Sequence, residues 1–343
     1  MMEEITDSID IQENQLMALS PDLLNTLLKD HTMSSEEEQR NIFWATSDYE
    51  HLGPGYEYRS PILPKLITGQ NGLVIMPRVM KHRDTQTMRS REMAEVFTPS
   101  WICNAQNNLI DEAWFGRKDV FNRELTTPDG QHTWKVNEAK ITFPEGKTWK
   151  DYVHDIRMEI TCGEAPYLVS RYDTTTGCFI PVDRRIGLLD RKLRIISENT
   201  ATSGEWLKAA QEAYKSIYAY EWQGDNLLLA REALLFSFIE HYRHKFGKNP
   251  LVKSITYIAY IISWNVWQMD GLKGVVPGTC IDRVTEDYDL LEGRIEKREP
   301  CEGCATNNLN KHTGTYCLIK DWQAVDKATG KKGKRIRFID LTN

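Results

Sequence analysis

The chain contains 343 residues, of which 41% are hydrophobic and 27% are charged, and its formal net charge is −6. A chain of this length can bury a full core and has room for two domains. No stretch approaches the roughly 18 consecutive apolar residues of a membrane span, and no charged-then-apolar leader opens the sequence. We therefore expect a globular, cytoplasmic protein without a membrane partner.

Residues 1–50 are predicted to form an acidic N-terminal extension. The first 40 residues carry a net charge of −8, so the remaining 303 residues carry +2. Ser20-Pro21 is typical of a helix start, because serine caps free N–H groups and proline fits the first helical turn. We predict a short helix from Asp22 to Lys29.

A predicted α/β domain spans residues 75–275, and its first feature is a basic segment that leads into Phe97-Thr98-Pro99. Basic side chains of this kind can follow nucleic-acid phosphates. The cluster consists of Arg78, Lys81, His82, Arg83, Arg89 and Arg91.

The segment from Arg157 to Leu168 predicts a short strand, a tight turn and the start of a helix. The strand ends on Glu159, Gly163 keeps the turn small, and Tyr167 begins a new apolar run. Such a turn lets backbone amides approach an adenosine-bearing ligand, and a carboxylate at the strand end can accept hydrogen bonds from a ribose or an amino group. Taken alone, the same pattern also suits an ordinary strand-to-helix turn.

A second strand is predicted to end on Glu221, followed by a long helix capped by Asp225 or Asn226. A strand-helix-strand crossover usually takes about thirty residues, whereas Glu159 and Glu221 lie 62 positions apart. We therefore predict extra helices in an insertion at residues 171–211. Its basic side chains either contact nucleic acid or form a solvated helix face.

In this order, the three segments resemble those of S-adenosylmethionine-dependent DNA methyltransferases that act on the exocyclic amine of adenine. The resemblance is to short modification (M) subunits of restriction systems. In that family a Phe-Thr-Pro element precedes a loop that reads acidic-Pro-x-Cys-Gly-x-Gly-x-Phe-Leu, and here Ile160, Ala165 and Tyr167 depart from it. The residues matched in this chain are Phe97, Thr98, Pro99 and Ile102, then Glu159, Cys162, Gly163 and Leu168, and finally Asn226, Ala230 and Arg231.

The resemblance implies a Rossmann-like methyltransferase sheet that binds S-adenosylmethionine. It implies that Glu159, Cys162, Gly163 and Tyr167 surround the cofactor and that Glu221 binds its ribose. Phe97-Thr98-Pro99 would close over the methionine end. It further implies DNA as the substrate and a specificity or restriction subunit as a partner.

The family places Asn-Pro-Pro-aromatic at the end of its fourth strand, where the side-chain amide and a carbonyl accept hydrogen bonds from the target amine. The best positional match here is Asn265, with Trp267 or Trp264 as the stacking face, after a predicted strand at residues 255–262. Val266 occupies the place of the first proline. The alternative is a buried strand end packed by tryptophans.

The C-terminal extension, residues 276–343, contains the spacing Cys-x2-Cys-x7-His-x4-Cys. Zinc prefers four tetrahedral nitrogen and sulfur ligands, and a closed set of four is structural. Reduced thiols without a metal are the alternative, as expected for the scattered cysteines. The candidate ligands are Cys301, Cys304, His312 and Cys317.

The sequence therefore predicts an α/β protein with a Rossmann-like methyltransferase sheet of reduced strand number, a helical insertion and a small zinc-type C-terminal loop. The predicted activity is methyl transfer from S-adenosylmethionine to adenine in DNA. One alternative is a degenerate methyltransferase-like subunit that binds cofactor or DNA without transfer. Another is a zinc-containing DNA-binding module.

Overall fold

The computed structural model describes residues 9–11, 13–92, 97–289, 293–327 and 330–341, so residues 1–8 of the acidic extension lie outside the described part. The helices are α1 (Glu13–Leu19), α2 (Pro21–Leu28), α3 (Pro64–Ile67), α4 (Arg83–Glu92), α5 (Ser100–Phe115), α6 (Trp149–His154), α7 (Leu188–Asn199), α8 (Ser203–Lys215), α9 (Gly224–Phe246), α10 (Val252–Asn265) and α11 (Glu302–Thr306). The strands are β1 (Asn122–Thr126), β2 (His132–Val136), β3 (Arg157–Glu159), β4 (Ile217–Glu221), β5 (Val266–Gln268), β6 (Arg283–Asp289), β7 (Gly293–Glu299), β8 (Leu318–Val325) and β9 (Lys332–Arg337). In the described ranges, no helix is both long and apolar enough to cross a membrane.

The central sheet is parallel and runs in the order β3-β4-β5. Arg157 pairs with Ile217 in one ladder, and Glu221 pairs with Gln268 in the other. Because all three strands point the same way, their carboxyl ends meet at one edge of the sheet. The chain is thus a mixed α/β protein of small sheets and helices, while a Rossmann-like identity for this sheet stays a prediction.

Helix α9 lies at the centre of the molecule. Its side chains are buried on every face from Gly224 to Tyr242, which marks a helix enclosed by other elements rather than one lying on a surface. It ends at Gly247, whose φ of 65° gives the left-handed turn that commonly terminates helices. The predicted helix after Glu221 is therefore present, and it carries much of the core.

The strand predicted at residues 255–262 is wrong, because this segment belongs to helix α10. The β-branched residues suggested a strand, but buried Ile255, Ile258 and Ile262 recur at helical spacing. This face packs against α2 and α9, so tertiary contacts outweigh the modest helix propensity of isoleucine.

The insertion at residues 171–211 contains helix α7 and the beginning of α8, as predicted. Some of its charged residues, such as Arg184 and Lys208, are exposed, but others are buried in the core and form neither a solvated face nor a nucleic-acid surface. Arg191 is buried and pairs with Asp111 at 2.5 Å, and buried Lys192 donates to the carbonyl oxygen of Val153 at 3.0 Å. Buried charges need such partners, so this part of the insertion is structural.

The described part of the acidic extension packs onto the core. The helix predicted at residues 22–29 is observed as α2, and its leucines are buried against α10. Trp44 is also fully buried, and its carbonyl oxygen accepts a 2.9 Å hydrogen bond from the N–H of Gly224 at the start of α9.

The C-terminal extension consists of two antiparallel hairpins, β6-β7 and β8-β9. Gly330, between β8 and β9, has a positive φ of 66°, and Gly333, inside β9 where the strand register shifts, has a φ of 99°. A second apolar cluster attaches β8 to the central sheet and comprises Tyr220, Trp267, Met269, Val276, Cys317 and Ile319.

Candidate functional site

A cleft of about 950 Å³ opens at the carboxyl end of the central sheet. In open parallel sheets this edge is where ligands bind, because the loops that leave the strands diverge there. The cleft brings together most of the predicted cofactor residues, namely Phe97, Thr98, Glu159, Cys162, Gly163, Tyr167 and Glu221. Pro99 is not in the lining; it is the N-cap residue of α5.

Glu221 fastens the loop after β3 to the end of β4. Its Oε2 accepts a 2.8 Å hydrogen bond from the N–H of Gly163, and its Oε1 accepts from the N–H groups of Trp222 and Gln223 at 2.9 and 3.3 Å. Burial raises the pKa of this carboxyl. A carboxylate has about four acceptor sites, so these three bonds leave Glu221 with capacity for one more donor.

Glu159 occupies the equivalent place at the end of β3. It accepts longer hydrogen bonds, 3.4 Å from the N–H of Tyr167 and 3.2 Å from that of Leu168. Burial raises the pKa of Glu159 well above its usual value, and the nearby Glu221 carboxylate raises it further. A cation beside the pair would favour the ionised forms of both groups.

The loop between β3 and Tyr167 has an unusual backbone. Thr161, Gly163 and Ala165 have φ angles of 46°, 52° and 59°, and only glycine adopts this region without strain. A Cβ on Gly163 would come within 3.7 Å of the Phe97 ring, which is ordinary contact. The requirement at Gly163 is therefore conformational, and the loop resembles the strained turns found at ligand sites.

The lining of the cleft is acidic and contains no counter-charge. Among the described residues that line it, two are glutamates and none is lysine, arginine or histidine. The polar remainder consists of hydroxyls and carboxamides. Two carboxamide residues from α5, Gln106 and Asn107, were missed by the sequence reasoning, although they lie on the helix that follows Phe-Thr-Pro.

Asn265 does not reach this cleft. It ends α10 and precedes β5, so it lies at the amino end of the parallel sheet, opposite the edge that carries Glu159 and Glu221. Its Nδ2 donates to the carbonyl oxygens of Tyr214 and Ile217 at 3.0 Å, and its Oδ1 accepts from Trp322 at 2.8 Å. The assignment of Asn265 to a target amine is therefore corrected, and its carboxamide ties together three backbone and side-chain groups of the core.

Trp267 is also placed elsewhere. It is buried in the second apolar cluster, where its ring lies 6.0 Å from Tyr220 and 5.5 Å from Phe338. Side chains alternate along a strand, so Trp267 faces the C-terminal hairpin while its neighbours face the helices. A stacking role for Trp267 on a flipped base is corrected to a packing role.

The basic segment at residues 78–91 is partly structural. Arg89 is buried and pairs with Asp48 at 2.6 Å and with Asp225 at 3.0 Å. Lys81 shares Asp225 at 3.2 Å. These side chains hold the start of α9 against the N-terminal region and are not available to phosphates.

A second site lies in the C-terminal extension, where Cys280, Cys301, Cys304 and His312 converge. Their ligand atoms all lie within 4.8 Å of one another, and this group can hold a metal ion. The Cys280 sulfur is 3.4 Å from that of Cys301 and 3.6 Å from that of Cys304, and Nδ1 of His312 lies 3.6 Å from all three. A tetrahedron with metal–ligand bonds of roughly 2.1–2.3 Å has edges of about 3.4–3.8 Å, so the spacing suits zinc.

Cys317 is not part of the cluster, which corrects the predicted ligand set. Its side chain is fully buried in the second apolar cluster, and its thiol donates to the carbonyl oxygen of Gln268 at 3.3 Å. Cys280 takes its place. The sequence reasoning missed Cys280 because the hairpin β6-β7 separates it from Cys301, and only the folded hairpin brings its two ends together.

The surroundings favour the thiolate form of Cys301, whereas hydrogen bonds with Cys280 raise the pKa of Cys304 to about 11. Burial raises the pKa of Cys301, but hydrogen bonds from the N–H groups of Cys304 and Thr313, from His312 and from Cys280 bring the pKa down to about 5. Close packing also fixes the loop, since a Cβ on Gly303 would come within 2.6 Å of the His312 backbone nitrogen. The ligand geometry is therefore built into the backbone.

Comparison with known proteins gives no relative for this chain. No family model, no curated protein and no solved structure matches it. What the protein binds and does is therefore inferred from its own residues and from the geometry of the two sites.

Proposed function

We propose that the cleft binds S-adenosylmethionine and that the chain is the cofactor-binding part of a DNA adenine methyltransferase. The observation that carries the proposal is a cleft at the carboxyl end of a parallel sheet, with a glutamate ending each of two adjacent strands and no cationic side chain among its described lining residues. Such a cleft suits a ligand rich in hydrogen-bond donors and positive charge.

The charge of the cleft argues against phosphorylated adenosine ligands. ATP and the dinucleotides carry phosphates that favour cationic side chains, and the described lining residues of the cleft offer none. S-adenosylmethionine instead carries a sulfonium and an ammonium group. The ribose hydroxyls of its adenosine would donate hydrogen bonds to Glu221, in keeping with the resemblance described above.

In such a reaction this chain would bind and orient the cofactor. Glu221 would hold the ribose, Glu159 would face the cationic part, and Phe97 with Thr98 would cover one side. Methyl transfer needs alignment of the attacking amine, the methyl group and the sulfur, and it needs no covalent intermediate. The groups that orient adenine would come from cleft residues other than Asn265 or from a partner subunit.

A second candidate is a subunit that binds the cofactor without transferring its methyl group. The position of Asn265 at the opposite end of the sheet favours it, because the best match to the family's amine-binding motif has its carboxamide bonded within the core. A transfer assay with tritiated cofactor and unmethylated DNA separates the two candidates. Label in adenine supports the enzyme, while cofactor binding without label supports the binding subunit.

We further propose that zinc occupies the cluster of Cys280, Cys301, Cys304 and His312. A site with four protein ligands is closed, so the metal would have a structural role at the base of the hairpin β6-β7. It would fix the direction of a charged, exposed hairpin whose contact with DNA or a partner subunit also belongs to the proposal.

Calorimetric titration of the intact protein with S-adenosylmethionine tests the cofactor proposal, with ATP as the comparison ligand. We expect saturable binding of S-adenosylmethionine, no binding of ATP, and loss of binding in Glu221→Ala. Glu212→Ala is the control, since Glu212 on α8 is partly exposed, pairs with His154 and Lys215, and is not among the described lining residues of the cleft. ATP binding, or equal affinities in both variants, would overturn the assignment of the cleft.

A further inference from the structure

Two cations of the β8-β9 hairpin face each other without a counter-charge. Arg335 lies directly opposite Lys320 in the ladder, so both side chains leave the hairpin on the same face. Among the described residues, neither side chain is paired with a carboxylate. Arg337, two residues farther along β9, pairs instead with Asp340 at 2.7 Å. Like charges directly opposite in a sheet are destabilising, so packing of the hairpin alone does not explain the first pair.

Aromatic side chains fix the position of Lys320. Its Nζ lies 4.7 Å from the ring centre of Trp322, 5.4 Å from that of Trp264 and 5.2 Å from that of Tyr260. It also donates a 2.8 Å hydrogen bond to the hydroxyl of Tyr260. The side chain lies close to the backbone of β9, where a Cβ on Gly333 would meet its Cε at 2.5 Å. An ammonium group has three N–H donors, and this hydrogen bond uses one of them, so Lys320 keeps donors for an anion.

Arg335 lies beside the same tryptophan and is exposed to solvent. Its Cζ is 5.6 Å from the ring centre of Trp264. A guanidinium group that contacts a ring keeps the N–H donors that bind phosphate in a bidentate way. The charged groups of Arg335 and Lys320 therefore lie beside one ring, at a place that an anion can reach.

The charge around this ring is positive. His31 stacks on Trp264 with the ring centres 3.8 Å apart. Burial, together with four nearby cations, lowers the pKa of His31 to about 2; these cations are Arg231, Lys29, Arg335 and Lys320. Arg231 has the Asp30 carboxyl close by, whereas Lys29 forms no ion pair within the described part of the chain. The surface beside Trp264 therefore carries an excess of positive charge.

We propose that Lys320 and Arg335 bind a phosphate group of the DNA backbone. A phosphate between them relieves the repulsion across the ladder and accepts hydrogen bonds from both cations. The choice of DNA as the source of the phosphate rests on the proposed function. Trp264 precedes Asn265 at the end of α10, so this surface lies at the amino end of the central sheet, away from the cleft. It contacts the DNA backbone and not the target base.

Fluorescence anisotropy of a labelled DNA duplex, titrated with the intact cofactor-free protein at several salt concentrations, tests this site. Arg335→Gln should weaken binding about three- to tenfold at low salt. It should also reduce the slope of log K against log salt concentration by about 0.9, the value for one phosphate contact. Lys334→Gln is the matched control, because Lys334 is also exposed but lies opposite Asp321 on the other face of the hairpin. This control should keep the wild-type slope.

Thermal unfolding of the same variants separates binding from packing. Removing one of two opposing charges should leave the Tm of Arg335→Gln unchanged or raise it. A lowered Tm with an unchanged salt slope would show that Arg335 is structural and would overturn the site. Equal losses of affinity in Arg335→Gln and Lys334→Gln, or equally tight binding of labelled polyglutamate, would overturn the assignment to backbone phosphate.

The outcome for the wild type keeps this inference distinct from the cofactor proposal. A protein that binds the duplex but not S-adenosylmethionine, with the expected change of slope in Arg335→Gln, retains the phosphate site and loses the proposed cofactor. A protein that binds S-adenosylmethionine but no duplex at low salt loses the phosphate site and retains the cofactor cleft.

Discussion

Replacing Cys280 should weaken zinc binding, whereas replacing Cys317 should not. The metal proposal rests on four ligand atoms that lie within 4.8 Å of one another, with five of their separations at 3.4–3.6 Å as in a zinc tetrahedron. Structural zinc sites of this type contribute roughly 10–16 kcal/mol, so one of four ligands accounts for about 2.5–4 kcal/mol. Cys280→Ala should therefore weaken zinc binding by about 10²–10³-fold.

The matched control is Cys317→Ala, which removes the same atom type from a buried site. Cys317 lies in an apolar cluster outside the metal group, so its loss leaves a small cavity and no missing ligand. Both variants would be purified with zinc, and bound metal would be measured by mass spectrometry before and after competition with a chromophoric chelator. We expect one zinc per chain in the wild type and in Cys317→Ala, and substoichiometric, easily removed zinc in Cys280→Ala.

Two results would refute this reasoning. If Cys317→Ala loses zinc while Cys280→Ala retains it, the fourth ligand is Cys317, as the sequence spacing predicts, and not Cys280. A wild-type protein that remains folded and takes up no zinc would show that the convergence of thiols serves packing alone.

Further predictions concern protonation, the loop of the metal cluster and the core. Burial raises the pKa values of Glu159 and Glu221, and binding of the S-adenosylmethionine cation should favour their ionised forms. Affinity for S-adenosylmethionine should therefore increase with pH, because binding releases protons. Calorimetry in buffers of different ionisation enthalpy should detect this release, and proton uptake would contradict the prediction. Burial raises the pKa of Glu13 from 4.5 to about 8. Between these two pH values the Glu13 carboxyl is protonated in the folded state and ionised in the unfolded state. The free energy of unfolding should therefore fall as pH rises across this window. Urea unfolding should show Glu13→Gln to be more stable than the wild type by about 1–3 kcal/mol at pH 7 and nearly equal to it at pH 4, and a variant weaker at pH 7 would refute the assignment. Gly303→Ala should reduce zinc retention because its Cβ would meet His312, as measured by chelator competition, and unchanged retention would show that the loop can adapt. Asn265→Ala should lower the free energy of unfolding by roughly 2–5 kcal/mol without changing the affinity for S-adenosylmethionine, and loss of affinity in a stable variant would return Asn265 to the site.

Local chemistry made the cleft predictable from the sequence. Glu221 follows the run Ile217–Tyr220, Glu159 follows the short segment Arg157–Met158, and both precede a turn, so these signals depend on neighbouring residues only. Parallel pairing of the strands then brings the two carboxylates to one edge without further information. Phe97 and Thr98 join the same cleft because the helix that follows them, α5, packs beside the loop.

Long-range packing explains the features that the sequence did not predict. The isoleucines of α10 have strand propensity, and only their burial against α2 and α9 makes the segment helical. Asn265 was assigned to the target amine because it follows this incorrectly predicted strand, so both predictions fail for the same reason. Cys280 is separated from the other ligands by a hairpin, and its membership depends on a contact that no local spacing encodes.

Each strand of the central sheet ends on a side chain that fastens a loop, which raises the question of whether the glutamates are structural. Gln268 ends β5 and donates to the carbonyl oxygens of Phe43 and Trp222, both at 2.8 Å, as a purely structural clamp does. A neutral carboxamide performs this task without the desolvation that a buried carboxylate suffers. Burial without a cation among the described lining residues raises the pKa of both Glu159 and Glu221, so fastening a loop does not account for the presence of an ionisable side chain at these positions. A cationic ligand would account for it, and this is why replacing these glutamates should reduce ligand affinity.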